Sequence, residues 1–208
     1  MKKGFFITFE GNDGAGKTTI ALACKERLEQ AGIDVIYTRE PGGSKIAEQI
    51  RNILLDPQNK EMDARTEAIL YAAARRQHLM DIVAPALEQG KVVLCDRFLD
   101  SSLAYQGVGR DLGIEAIEQL NHFAIHNLMP DQTIFLSVNE EIANQRMHQR
   151  GELNRLDQEK DEFHRKVRQG YEILLKRDPK RIKKIDASRS IEEVSNDAME
   201  VIQKIIYG

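Results

Sequence analysis

Apolar residues along this chain alternate between strand runs and helical spacing, and the changes outline the fold. Gly4 to Glu10 (Gly-Phe-Phe-Ile-Thr-Phe-Glu) is a β-prone run of buried-strand length, and Thr18 to Leu28 then places apolar residues at helical spacing. Ile33 to Thr38 predicts a second strand. Ser44 is placed to N-cap a helix through Ile46, Ile50, Ile53 and Leu54, which Asp56-Pro57-Gln58-Asn59 breaks. A long helix is expected from about 64 to 87, stopped by Gly90, before an apolar strand Lys91 to Cys95. Asp96 to Gly107 reads as a loop and helix start, followed by an amphipathic helix over about 114–126 and a strand over Gln132 to Ser137. Helices over about 140–149 and up to about 176, a short strand from Ile182 to Ile185 and a closing helix from Ile191 to Ile206 complete the chain. Strands separated by helices predict an α/β fold, a parallel sheet covered on both faces. Right-handed crossovers then put the loops that bind ligands at the carboxyl ends of the strands.

Length and charge narrow the class without choosing a chemistry. At 208 residues one domain spanning 1–208 is expected, with no repeat or linker inside it. Lys and Arg total 30 against 33 Asp and Glu, for a net charge of −3, which argues against a nucleic-acid or anionic-membrane partner. No apolar run approaches the ~20 residues of a membrane span. Cys24 and Cys95 have no metal or redox spacing and read as reduced core thiols, so a cytoplasmic protein is expected. His122 and His126 lie four apart on one helix, but no third ligand accompanies them.

The candidate chemistry begins at Gly11-Asn12-Asp13-Gly14-Ala15-Gly16-Lys17-Thr18, which fits G-x-x-x-x-G-K-[ST] between a predicted strand and a predicted helix. Glycines let consecutive backbone N–H groups curl around phosphate oxygens, and the helix start directs its positive dipole end at the same anion. Lys17 is expected to reach the β- and γ-phosphates, and the Thr18 hydroxyl to ligate Mg²⁺. Val92-Val93-Leu94-Cys95-Asp96 reads as a second acidic strand whose Asp96 orients the metal through water. A nucleoside triphosphate is therefore expected.

Asn59-Lys60-Glu61-Met62 and Asp96-Arg97-Phe98-Leu99 lack the residues that a guanine-specific switch would carry there. Arginine is in surplus in the loops: Arg39, Arg51, Arg75, Arg97, Arg110 and the group Arg146, Arg150 and Arg155. Guanidinium forks suit phosphate oxygens, and there are more than one triphosphate requires, so a second phosphorylated ligand is expected.

The sequence carries Phe9-Glu10-Gly11-x-Asp13-Gly14-x-Gly16-Lys17-Thr18-Thr19, Thr38-Arg39-Glu40-Pro41-Gly42-Gly43, and Arg65-Thr66-Glu67 leading to Ala72-Ala73-x-Arg75. It continues with Asp96-Arg97-Phe98-x-x-Ser101-Ser102-x-Ala104-Tyr105-Gln106-Gly107 and Arg150-Gly151-Glu152-Leu153-Asn154-Arg155. In these motifs it resembles the thymidylate (dTMP) kinase family, in family order from residue 5 to 157; Asn12 and Phe98 depart from common family choices.

The resemblance implies a P-loop fold like that of nucleoside monophosphate kinases, with five parallel strands, and ATP- and Mg²⁺-dependent phosphorylation of dTMP by a homodimer. It implies that Gly11, Asn12, Asp13, Gly14, Ala15, Gly16, Lys17, Thr18 and Thr19 hold ATP. Asp13 would meet the sugar 3′-hydroxyl, and Arg39, Arg51 and Arg97 the monophosphate. Tyr71, Arg75, Ser102 and Gln106 would read the base, with Pro41 against its methyl group on a peptide bond that could be cis. Tyr105 would crowd the sugar 2′ position. Lys17, Asp96 and Arg97 would serve catalysis, together with Arg150 and Arg155 from a lid over about 146–157, because the phosphate loop has no arginine of its own. Another deoxynucleoside monophosphate kinase, or a non-catalytic nucleotide-binding protein, stays open at this point.

Overall fold

In the computed structural model, which describes residues 4–150 and 154–208 with the side chains of 148–150 left out, each predicted apolar run becomes a strand of one sheet. The strands β1 (Phe5–Glu10), β2 (Val35–Arg39), β3 (Val92–Asp96), β4 (Gln132–Ser137) and β5 (Ile182–Asp186) pair in parallel in the order β2-β3-β1-β4-β5. The helices are α1 (Lys17–Gln30), α2 (Lys45–Leu55), α3 (Ala64–His78), α4 (Ala84–Glu88), α5 (Leu99–Ser102), α6 (Ile114–Ile125), α7 (Glu140–Arg150), α8 (Asp161–Arg177) and α9 (Ile191–Tyr207).

Alternation along the strands feeds two cores. Phe6, Val93, Cys95 and Phe135 pack on one face with Phe98, Leu103, Val167 and Tyr171. Ile7, Phe9, Leu94, Ile134 and Leu136 pack on the other, under Ile20 and Leu28 of α1 and Val194 and Ile202 of α9. Both faces are covered, which is why these strands read as near-continuous apolar runs. Register aligns the strand ends: Arg39 of β2 lies opposite Asp96 of β3, and Phe9 of β1 lies on that residue's other side. The carboxyl edge of the sheet thus collects Glu10, Arg39 and Asp96 and the loops that follow them.

Three local features differ from expectation. Ser44 is the residue before α2, but its hydroxyl makes no capping bond; Glu48 instead accepts from Gly43 N–H at 2.7 Å. The long helix expected over about 64–87 widens into a π-helical turn at Leu79–Val83 between α3 and α4. Pro85 explains this, because it cannot donate to the preceding turn and the ladder spreads ahead of it. The segment after Asp96 is likewise α5 running into a π-helical stretch, Leu103–Gly109, which carries Tyr105 and Gln106. There α8 crosses so closely that a Cβ on Gly170 would sit 2.9 Å from the Ala104 Cα, so only glycine permits the contact. Side chains do cap the starts of α3 and α9. Asp63 accepts from Arg65 N and Thr66 N, and Ser190 and Glu193 form a capping box at α9.

Candidate active site

The loop between β1 and α1 wraps a helix start whose N–H groups have no helical partner, which makes an anion site of it. Gly14 has φ +79°, and a Cβ there would meet the Ala143 carbonyl oxygen at 2.3 Å, so the loop requires glycine. Lys17 is buried and folds back onto its own loop, donating to Gly11 O at 3.1 Å and Asn12 O at 3.0 Å. Burial, and then the neighbouring Arg97 charge, bring its pKa down to about 8. The Thr18 hydroxyl donates to Asp96 Oδ2 at 2.5 Å, and the Tyr37 hydroxyl lies 3.5 Å from the same oxygen. Two oxygen donors in contact at the mouth of an anion site suit a hard divalent cation.

A cavity of about 470 Å³ opens beside this loop, and residues from all the expected motifs line it. Asp13, Gly14, Gly16, Lys17, Thr18 and Thr19 form one end. Arg39, Pro41, Arg51, Tyr71, Arg75, Asp96, Arg97, Ser102, Tyr105 and Gln106 also line it. Gly11, Asn12 and Ala15 support the loop without lining the cavity; Asn12 contributes its backbone carbonyl to Lys17.

Arg97 is the hub. Its backbone is left-handed at φ 70°, which turns the side chain back over β1. Its guanidinium donates to Asp13 Oδ1 at 2.7 Å, Ser101 Oγ at 3.0 Å, Gly11 O at 3.1 Å, and the Tyr105 and Tyr171 hydroxyls at 3.3 Å. Asp13 also accepts from the Tyr105 hydroxyl at 2.9 Å. Burial raises the Asp13 pKa, but the charges of Arg97 and Lys17 outweigh it and hold the carboxyl well below the usual range.

Toward α2, Arg39 and Arg51 both donate to Pro41 O, at 3.1 and 2.7 Å, and the Glu40–Pro41 bond is cis. Arg39 also pairs with Glu48 at 3.0 Å. Arg75 is fully buried at the base of the cavity. It donates to Glu40 Oε2 at 2.8 Å, Phe98 O at 3.0 Å and Ser102 Oγ at 3.1 Å, and also to Asn121 Oδ1. Behind it His78 bridges Glu40 Oε1 and Thr38 Oγ1, so a polar chain from α3 fixes the Arg75 fork.

The structure corrects one expected role and adds others. Arg155 does not face the phosphate loop: it is buried, donating to Glu67 Oε2 at 2.6 Å and Leu54 O at 2.8 Å. An ionised buried acid outcompetes an open loop for a guanidinium. Arg150 ends α7, and its side chain lies outside the described residues, as does the middle of the expected lid. Arg146 lines the cavity instead and reaches Gly14 O at 3.4 Å and Ala187 O at 3.2 Å. Its sequence signal was its place in the arginine group before Arg150.

Glu10 was also missed as a site residue, although an acid closing a buried strand is such a signal. It accepts from Phe98 N, Ser101 N, Ser101 Oγ and the Tyr171 hydroxyl at 2.6–3.1 Å, under Arg97. Burial and then Asp100 raise its pKa to about 7, against the pull of Arg97. The native state therefore holds this proton longer than the unfolded chain does. The Glu10 contribution is complete below about pH 4.5 and is lost as pH rises to about 7. Glu10→Gln is expected to flatten that part of the stability profile in denaturant titrations at stepped pH; an unchanged slope would refute the assignment.

A parallel sheet in this order, with a phosphate loop after its central strand and a second cationic pocket beside it, defines a phosphate-loop kinase of the nucleoside monophosphate class. A family model described as thymidylate kinase matches residues 9–198. The chain is 55% identical to thymidylate kinase of Anoxybacillus flavithermus over 203 residues, 97% of each chain. It is 53% identical to that of Shouchella clausii over 210 residues, covering 100% of this chain and 99% of the other. The crystal structure of thymidylate kinase from Ehrlichia chaffeensis superposes with a TM-score of 0.78 at 35% identity, covering 97% of this chain and 99% of that one. The chain belongs to the thymidylate kinase family.

Proposed function

We propose that the chain transfers the γ-phosphoryl group of ATP to dTMP, giving dTDP and ADP, as one domain over residues 1–208 with its lid at about 146–157. The observation that carries this reading is the excess of cation beside the phosphate loop. Burial, and then the charge of Arg39, press the Arg51 pKa below its ordinary value, with Arg97 adding to the same effect. Like charges held this close are relieved when an anion arrives, which suits the phosphate of an acceptor nucleotide.

ATP phosphates take the loop N–H groups and Lys17, whose present partners are carbonyls that phosphate oxygens replace. The acceptor phosphate sits among Arg39, Arg51 and Arg97, its sugar against Asp13 and Tyr105. The thymine lies on Tyr71, between Pro41 and the polar groups of Arg75, Ser102 and Gln106. The phosphate of dTMP is itself the nucleophile, so positioning and charge compensation do the catalytic work and no general base is needed. Thr18, and Asp96 through water, would hold Mg²⁺, which when bound offsets charge on the transferring phosphates. Arg146, beside Gly14, and Arg150 supply cation from the lid side, while Arg155 anchors the lid's far end. Cys24 and Cys95 are free and buried, as suits a reducing cytoplasm.

A coupled assay of ADP release with dTMP, dUMP, dCMP, dGMP and UMP tests the reading. Strongest stimulation by dTMP is expected; slow ATP loss that no monophosphate stimulates would overturn it. Assembly as a homodimer belongs to the same proposal. Phe123 on α6 is 90% exposed, and Ile69 on α3, which packs against α6, is 56% exposed. Such apolar surface suits a second copy of the chain. Phe123→Asp is expected to halve the mass seen by light scattering after gel filtration, and an unchanged mass would place the contact elsewhere.

A further inference from the structure

Behind the base end of the cavity, Glu67 on α3 is fully buried and gathers donors from three residues. It accepts from Gln106 Nε2 at 2.8 Å, from Arg110 Nε and Nη2 at 3.2 and 2.9 Å, and from Arg155 Nη2 at 2.6 Å. Arg110 is also paired with Glu159 at 2.6 Å. Burial raises the Glu67 pKa, but the bonds from Arg110, Gln106 and Arg155 together hold it below the ordinary value, so it is ionised at neutral pH. An ionised carboxylate only accepts hydrogen bonds. The Gln106 amide must therefore turn its NH₂ to Glu67, which leaves its carbonyl oxygen for the cavity that the residue lines. Among the described residues that oxygen has no hydrogen-bond partner.

We propose that Glu67 is a positioning residue for base choice: by holding Gln106 as an acceptor, it selects a pyrimidine whose N3 carries hydrogen over cytosine, whose N3 is a bare acceptor. The inference rests on the placement of the base beside Gln106 given above. It also predicts the effect of reversing the amide. In Glu67→Gln the two charged donors at Oε2, Arg110 Nη2 and Arg155 Nη2, hold the new amide's oxygen, and its NH₂ takes the Oε1 place facing Gln106, at the loss of the longer Arg110 Nε bond. Gln106 then turns its own oxygen inward and presents a donor to the cavity. That donor opposes the N3–H of thymine and matches N3 of cytosine.

The test is the ratio of kcat/KM for dTMP to that for dCMP, a quantity that a role in stability alone does not move. Glu67→Gln is expected to lower it about tenfold or more, the scale of an unpaired buried polar contact. Glu67→Asp, which keeps an accept-only group, is expected to hold the ratio within about threefold even where both rates fall. The double variant Glu67→Gln/Arg110→Met removes a cation together with the acid, leaves Arg155 Nη2 to hold the amide oxygen at the Oε2 place, and is expected to show the same loss, which covers failure of the single variant to fold. Arg110→Met alone is expected to keep the ratio, because Glu67 still accepts from Gln106. Gln106→Leu separates the two readings. If it raises KM for dTMP while the Glu67→Gln variants keep the wild-type ratio, Glu67 is only a structural acid and the inference falls. If Gln106→Leu leaves dTMP kinetics unchanged, the base lies elsewhere, and the placement and the inference fall together.

Discussion

Lys17→Met is expected to lower kcat/KM for ATP by about 10²- to 10³-fold, the usual effect of removing one preorganised charge donor, without lowering the melting temperature. The two readouts diverge because the protein groups around the lysine stabilise its charge poorly. Lys17 is buried, and two backbone carbonyls accept from its ammonium at 3.1 and 3.0 Å. Burial and Arg97 lower its pKa from 10.5 to about 8, so keeping it charged at neutral pH opposes folding by an amount on the order of 3 kcal/mol. Methionine has similar length and no charge to desolvate. The sign follows from proton counting: between about pH 8 and 10.5 the unfolded chain binds the proton and the native chain does not, so the wild type gains stability as pH rises there. Lys17→Met is expected to lose that gain. Phosphate oxygens restore the charged form, so calorimetry in buffers of different ionisation enthalpy is expected to show proton uptake when ATP binds above about pH 8. A drop of several degrees in the melting temperature of Lys17→Met, or ATP binding without proton uptake, would mean that this lysine is not held as described.

The second large effect is expected at Asp13, where function and stability fall together. Asp13→Asn removes the carboxylate that accepts from Arg97 at 2.7 Å and from Tyr105 at 2.9 Å. The guanidinium is then left partly buried beside Gly11 and Tyr171, and breaking a pair in this way costs about 3 kcal/mol. Because Arg97 is freed to rotate, kcat/KM for dTMP is expected to drop about 10²-fold or more. The pH dependence has the opposite sign to that of Glu10. The native Asp13 pKa is depressed below its ordinary 3.8, so its stabilisation is present above about pH 4 and disappears as pH falls below that. Urea titrations are expected to show a wild-type advantage that is constant from pH 5 to 8 and narrows only in acid. An advantage that narrowed already as pH fell through 6 would mean that Arg97 and Lys17 do not hold Asp13 ionised.

These two residues also mark how far the sequence could be read. Lys17 belongs to a local pattern, since the loop, the strand before it and the helix after it are neighbours in the chain. Asp13 sits in the same pattern, but its partner Arg97 is 84 residues away, and a shared sheet edge was the one available hint that they meet. Helix ends were legible at local breakers, Asp56-Pro57 after α2 and Gly90 after α4, whereas Ser44 shows that a capping residue type does not guarantee a capping bond. The π-helical stretch that delivers Tyr105 and Gln106 was read only as a loop and helix start, because its widening depends on how α8 packs against it at Gly170.

By itself the sequence determined the alternation of strands and helices, the parallel sheet, the phosphate loop and the gathering of arginines at one edge. Each of these is written in short-range spacing, period 2 or 3.6, or in a contiguous motif. The tertiary structure decided where the charges go. Arg155, expected over the phosphates, is bound by Glu67, 88 residues earlier. Arg146 takes a place at the cavity, and Glu10 and His78 prove to hold up Arg97 and Arg75 from behind. A charge finds its partner by burial and three-dimensional proximity, and in a crossover fold the residues that become neighbours leave no periodic trace in the chain.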